Sequence, residues 1–181
     1  MLLESEMSAQ DAPGGAAGLA VARQEIEYLR RQYALATDLL GKCDDPAEVA
    51  EAKRIYQRIF TPDANICSVG GGGPTLSASG PNGWAHEVSK ALASYSYTQH
   101  LIGTQVVQID QMTGAGGRVQ SGHASMSSYL QAWHSEPNGR LLMVMATYED
   151  KVTYVADLGW QIYDMRIVMM ASDVRQLSAP A

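Results

Sequence analysis

Apolar positions recur at intervals of three and four from Glu25 onward. Ile26, Leu29, Tyr33, Ala36 and Leu40 fall on one stripe, which predicts an amphipathic helix that ends at Gly41. A second helix opens with the run DPAE. Asp45 is the N-cap, Pro46 the first helical residue and Glu48 the N3 partner of a capping box, and the helix runs through Ala50, Ile55 and Tyr56 to about Phe60. Pro62-Asp63 then turns the chain into a short strand, ANICSV. A third helix is predicted from near Asn82, carrying Trp84, Val88, Ala91 and Leu92. After Tyr97 the period shortens to two. Four strand-like stretches follow, at about 98–109, 119–135, 140–154 and 159–170. Turn signals separate them at Thr113–Gly117, Pro137-Asn138-Gly139 and Asp157-Leu158-Gly159.

Helices followed by a run of strands make an α+β pattern. The order α-α-β-α-β-β-β-β predicts one curved antiparallel sheet wrapped around the long first helix, a cone-shaped barrel with a cavity suited to a small molecule. Residues 21–171 are predicted to form this single domain. Residues 1–20 hold Pro13, Gly14 and Gly15 and little to bury, so they are predicted to be a flexible arm, and 172–181 a tail.

Composition narrows the partners. Of 181 residues, 13 are Lys or Arg and 19 are Asp or Glu, and the net charge is −6. Such a chain, without basic clusters, lacks the phosphate neutralisation that supplies nucleic-acid affinity, and is equally unsuited to anionic membranes. Two cysteines, Cys43 and Cys67, are too few for a disulfide framework or a Cys-ligated zinc site. Cys67 reads as a small buried hydrophobe. No apolar run approaches the roughly 18 residues of a membrane span. Met1-Leu2-Leu3 is followed by Glu4 and Glu6, so there is no basic leader, and a cytoplasmic location is expected. The glycine run Gly70–Gly73 leads into Pro74-Thr75-Leu76 and lacks the Lys-Ser/Thr pair of a phosphate loop, so it reads as a loop.

Candidate chemistry gathers on a few polar residues in apolar company. Asp38 stands among Leu35, Ala36, Leu39 and Leu40, where a carboxylate is costly to bury unless it is paired or used. His100 lies in TQHLIG, and period two places His100, Ile102, Thr104 and Val106 on one mostly apolar, inward-looking face. His123, in SGHASM, shares a face with Ser125 and Ser127. Tyr33, Asp150 and Arg166 complete the set. An Asp beside a His fixes the imidazole tautomer and raises its basicity, and the imidazole then moves a proton near neutral pH without a metal or cofactor. The blander reading of a strand His is a hydrogen-bonded structural residue. No G-x-S-x-G elbow marks a serine nucleophile, and His86, His100, His123 and His134 lack a metal-ligand spacing. His86 and His134, near element ends, read as solvated. Met143, Met145, Met165, Met169 and Met170 read as core or cavity lining.

TQHLIG, the Asp-bearing first helix before it, the Gly122-His123 step and the later Gly-Trp-Gln-Ile strand at 159–162 resemble the SnoaL-like branch of the NTF2-like superfamily, and within it the scytalone dehydratase-like proteins. The likeness covers about 22–170. It implies the cone-shaped α+β barrel, an enclosed cavity, cofactor-free acid–base chemistry by His100, His123 and Asp38, and a homotrimer. The sequence departs from that branch at two tyrosine positions, where it has Thr37 and Ser68. Tyr33, five residues before Asp38, resembles the tyrosine of bile-acid dehydratases, and Arg166 a cavity arginine of such relatives. Asp150 falls near a substrate-contacting Asn of the scytalone dehydratases.

The function this implies is a cofactor-independent lyase acting on a hydroxylated aromatic or polycyclic small molecule. His100 moves the proton, and His123, Tyr33 or Arg166 orients substrate or stabilises oxyanion charge. The leaving group is water, or formaldehyde from a lignin-derived diarylpropane, and aromatic catabolism is the expected setting. A non-catalytic ligand-binding or assembly module of the same fold is the alternative, with isomerase and epoxide hydrolase further off.

Overall fold

A computed structural model of the chain describes residues 7–8, 12–42, 45–70 and 75–177. Cys43, Gly71–Pro74 and the last residues of the expected tail lie outside these, as do most of residues 1–11. Three helices, α1 (Gly15–Lys42), α2 (Pro46–Ile59) and α3 (Gly80–Leu92), accompany six strands. The strands are β1 (Phe60–Gly70), β2 (Ser77–Ser79), β3 (Tyr97–Ala115), β4 (Arg118–Ser135), β5 (Arg140–Val155) and β6 (Gly159–Gln176). They form one sheet in the order β2-β1-β6-β5-β4-β3. Every neighbouring pair is antiparallel except β1 with β6, because the chain leaves β1 by way of α3 and returns to it only with its last strand.

The apolar stripe of α1 lies in the mouth of the curved sheet. Ile26, Tyr33, Ala36 and Leu40 pack into one core with Ile109, Met126, Tyr148, Ile162 and Met165. The helix is longer than the sequence predicts. Gly15–Ala20 are helical, and Leu19 and Ala12 are buried in the same core, so this part of the expected arm is packed structure. Its Ala- and Gly-rich composition hid the stripe, which continues back from Ile26 to Ala22 and Leu19. At the other end β6 runs to Gln176, opposite Arg140, where a tail was expected from residue 172. Asp45 caps α2 as read, accepting from the Ala47 N–H at 2.8 Å.

Period two holds without interruption along β4 but not along β3. The β3 register slips between Ile102 and Gln105 and again between Ile109 and Gln111. Each slip is a bulge that reverses which side chains face the core. Thr98, His100 and Ile102 therefore look inward, and Ile109 does so after the first bulge, while Val106 is 62% exposed. The face expected to join His100 to Val106 ends at Gly103.

Beneath the core runs a buried ion pair. Arg30, on α1, donates from Nη2 to Asp150 Oδ1, on β5, and both side chains are fully buried. The Arg30 guanidinium is also packed 4.5 Å from the Tyr33 ring centre and 3.8 Å from that of Tyr148. Burial pushes the Asp150 carboxyl above the usual carboxylate range, and Arg30 offsets part of that. Removing one partner strands a buried charge. Arg30→Met is expected to lower stability by about 3–5 kcal/mol, and Arg30→Met with Asp150→Leu to recover most of it, as read from urea denaturation midpoints. A single variant as stable as the double would show that the pair carries no such constraint.

Candidate active site

The end of helix α1 and the start of strand β3 meet at close range. A Cβ on Gly41 would stand 2.6 Å from Thr98 Cγ2, so only glycine lets the end of α1 lie against β3 here. One helical turn earlier, Asp38 reaches the strand. Its carboxylate accepts from Thr98 Oγ1 at 3.0 Å, from the His100 backbone N–H at 3.2 Å and from His100 Nδ1 at 2.7 Å. A carboxylate only accepts, so Nδ1 carries the proton and Nε2 of the neutral ring keeps its lone pair. The His100 side chain is 8% exposed and forms part of the wall of a cavity of about 340 Å³.

The cavity is aromatic and aliphatic. Tyr33, Trp84, Tyr95, Tyr148, Leu130, Val144, Ile167 and Met169 are among the residues that line it, and its polar lining is Thr37, Ser68, His100, His134 and Ser172. Among the described residues, no Lys, Arg, Asp or Glu lines it. Thr37 and Ser68, which stand at the two tyrosine positions of the scytalone dehydratase-like proteins, both lie in the wall. The Tyr33 hydroxyl accepts from Trp84 Nε1 at 3.1 Å. Thr37 Oγ1 donates to the Tyr33 carbonyl at 2.8 Å and so accepts from the Tyr56 hydroxyl at 2.6 Å. Burial raises Tyr33, and raises Tyr56 and Tyr148 well above the usual phenol range. These phenols are neutral hydrogen-bonding groups, not bases.

The sequence reading missed His134. It was placed in solvent, yet it is only 7% exposed and lies in the cavity wall. Its ring centre is 4.9 Å from that of Tyr95 and 5.5 Å from that of His100, which it meets nearly edge to face. Its Nδ1 is buried without a protein partner. The signal was present: Ala124, Met126, Leu130 and Ala132 mark the inward parity of β4, and His134 shares it.

The same parity corrects His123. It is exposed on the outer face of β4 and does not face the cavity. The inward position beside it belongs to Gly122, where a Cβ would stand 2.4 Å from the Trp160 ring, so the Gly-His step is a packing feature. Arg166 is also on the outer face, 3.4 Å from Glu149. Asp150 faces inward but is engaged by Arg30 and does not line the cavity. Of the expected site, the structure brings together Asp38, His100 and Tyr33, and leaves His123, Arg166 and Asp150 apart. Among the described residues, no group of three or more His, Cys, Asp or Glu is arranged to hold a metal ion. Nor is any helix among them long and apolar enough to cross a membrane.

The model of the SnoaL-like domain family matches residues 20–166. This chain belongs to that family. The match spans α1 to β6 and so contains every wall of the cavity but its last strand end. No curated protein matches the chain by sequence. Solved structures share the SnoaL-like fold. A protein from Novosphingobium aromaticivorans, provisionally named a scytalone dehydratase, is 15% identical, with a TM-score of 0.62 over 91% of this chain and 93% of its own. The hexachlorocyclohexane dehydrochlorinase LinA-type3 of Novosphingobium barchaimii is 12% identical, with a TM-score of 0.63 over 91% and 99%. A protein with a cystatin-like fold from Nostoc punctiforme is 16% identical, with a TM-score of 0.55 over 82% and 90%. The SnoaL-like domain is thus the NTF2-like, cystatin-like α+β cone that the sequence implied.

Burial, and then the neighbouring His100, lower the His134 pKa to about 4. In the unfolded chain it titrates near 6.5. Between about pH 6.5 and about pH 4 the unfolded state therefore binds more protons, and stability falls as the pH falls through that window, by about 3 kcal/mol at full extent. Guanidinium denaturation at about pH 7 and about pH 4.5 is expected to show this loss in the native chain and a smaller one in His134→Gln. Equal losses in both would contradict the neutral, buried His134.

Proposed function

We propose that the chain is a cofactor-independent lyase that eliminates water from an uncharged, hydroxylated aromatic compound. The observation that carries this is the Asp38–His100 pair, set in the wall of a largely apolar cavity with one imidazole nitrogen left to its contents. A merely structural His would be expected to satisfy both nitrogens within the protein. A cavity to which the described residues bring no Lys or Arg offers little to a carboxylate or phosphate, so the substrate is neutral. At about 340 Å³ it lies at the small end of ligand pockets, which favours a compound of one or two rings stacked among Tyr33, Trp84, Tyr95 and Tyr148.

In this mechanism His100 Nε2 removes a proton from the carbon beside the one bearing the hydroxyl. The C–H electrons become the new C=C bond, the C–O bond breaks, and the imidazolium returns its proton to the departing oxygen as water. Asp38 stabilises the transient imidazolium and holds the ring in register. His134, neutral at working pH, supplies a hydrogen bond to the oxygen on which charge develops, the role expected of His123, Tyr33 or Arg166. Two structural neighbours are named for eliminations, a dehydration and a dehydrochlorination, which supports this class. Release of formaldehyde from a diarylpropane begins with the same base taking a hydroxyl proton, with C–C cleavage replacing C–O cleavage. Catabolism of aromatic compounds is the setting that fits either substrate.

The test is a mass-spectrometric screen of phenolic ketols, diarylpropane diols and hydroxylated steroids against the native chain and His100→Ala. Loss of about 18 mass units, abolished in the variant, is the expected result, and loss of about 30 with trapped formaldehyde would replace dehydration by deformylation. Asp38→Asn is expected to lower kcat by about 10²–10⁴-fold with little change in KM. Ligand retained without a mass change, and equally by His100→Ala, would overturn the lyase in favour of a binding module.

A further inference from the structure

A second recess lies between α1, the end of α2 and the turn from β5 to β6, and shares no residue with the cavity that holds His100. Its volume is about 270 Å³. Tyr28, Tyr154 and Trp160 give it aromatic walls, and the Tyr154 and Trp160 rings meet edge to face with their centres 5.5 Å apart. Apolar area is left open here: Tyr28 is 55% exposed, and Leu158, which also lines the recess, 64%.

The polar groups at one end of the recess are donors. Trp160 is 4% exposed, and its indole N–H is buried with no protein partner. An unbonded N–H is costly in such a place, and an indole can only donate, so the acceptor it lacks has to come from outside the chain. Arg58 also lines the recess. Arg54 is paired with Glu51 and Arg140 with Glu136, but Arg58 has no acidic partner among the described residues. Gln161 Nε2 donates to the Arg58 carbonyl at 2.8 Å, which fixes the end of α2 beside the neighbour of Trp160. Tyr56, two residues before Arg58, is stacked on Tyr33, the neighbour of Gln32. Gln32 is buried in the lining and brings an amide. Arg58, Gln32 and Trp160 therefore gather at the same end. Glu25 is the acid of the described lining. It precedes Gln32 by two helical turns, about 10 Å along α1, so it does not oppose an anion held at the other end.

We propose that this recess binds a small aromatic carboxylate, with its ring among Tyr28, Tyr154 and Trp160 and its carboxylate accepting from Arg58, Gln32 and the Trp160 indole. A guanidinium supplies the charge, the buried indole the direction, and the aromatic walls select a flat ring. The volume suits one ring rather than a polycycle. The two recesses thus differ by charge: the described lining of the His100 cavity holds no cation, and this one does. The proposal does not depend on what the cavity binds or on its chemistry.

Nuclear magnetic resonance of the full, isotope-labelled chain tests it. Trp84, Trp133 and Trp160 each give one indole N–H signal, and Trp160→Phe identifies the last. Benzoate is expected to move the Trp160 signal saturably at about millimolar concentration or below. Arg58→Gln, a change at an exposed side chain that keeps the fold, is expected to weaken benzoate about tenfold or more. Benzamide, which has the same shape without the charge, is expected to leave the signal in place. A Trp160 signal unmoved by benzoate would overturn the proposal, since water is then the partner of the buried N–H. An equal response to benzamide, or an affinity unchanged in Arg58→Gln, would overturn it as well. Movement of the Trp84 signal in place of Trp160 would put the acid in the His100 cavity, against both this proposal and the neutral substrate.

Discussion

The contact between the end of α1 and the start of β3 constrains everything chemical in this molecule. A helix crosses a strand closely enough for a two-carbon carboxylate to reach the strand backbone only where no side chain separates them, and Gly41 against Thr98 meets that condition. Three donors then converge on Asp38: a hydroxyl, a backbone amide and an imidazole. The amide bond matters as much as the ring bond. It ties the carboxylate to the backbone of the residue whose side chain it orients, so the acceptor stays in place for the His100 ring.

The rest of the cone serves to keep the free face of that ring in an apolar enclosure. Tyr33, Tyr56 and Tyr148 are stacked or edge-packed on one another, and their hydroxyls are consumed by Trp84, Thr37 and burial. Arg30, between the rings of Tyr33 and Tyr148, holds the floor in place without showing charge to the cavity. A guanidinium can be stacked in this way because it is planar and weakly hydrated, whereas a lysine would have to leave its ammonium group unsolvated. The cavity is thus lined with dipoles and rings while its charges stay behind the wall. An imidazole that changes charge during turnover feels its one carboxylate strongly under such conditions.

Much of this was legible in the sequence. The three helices, the four long strands and the placing of an acid on an apolar helix and a histidine on an inward strand all follow from local periodicity, which depends on neighbouring residues alone, while the pairing of the two is what the resemblance implies. What was not legible depends on residues far apart. The β3 bulges are set by the need to bend the sheet around α1, and they moved Val106 outside. Arg30 sits in the doublet Arg30-Arg31, which carries no local sign of burial, and only Asp150, 120 residues later, explains it. The exchange of His123 for His134 is different. The alternation along β4 decided it, and resemblance to a Gly-His step outweighed the parity that Met126, Leu130 and Ala132 already displayed.

The sheet order also says when the site comes into being. The acid and its histidine are 62 residues apart, the floor pair 120, and β1 finds its partner β6 only after every other strand has been made. Few of the contacts that shape the cavity are local, and loop closure must precede each of them. A chain emerging from the ribosome carries α1 complete but with no strand to cover its apolar stripe. Folding is therefore expected to be slow for a domain of this size and to wait until β6 has been made and closes between β5 and β1. Until then Asp38 is an ordinary solvated carboxylate, and the nascent chain has no base to offer a substrate.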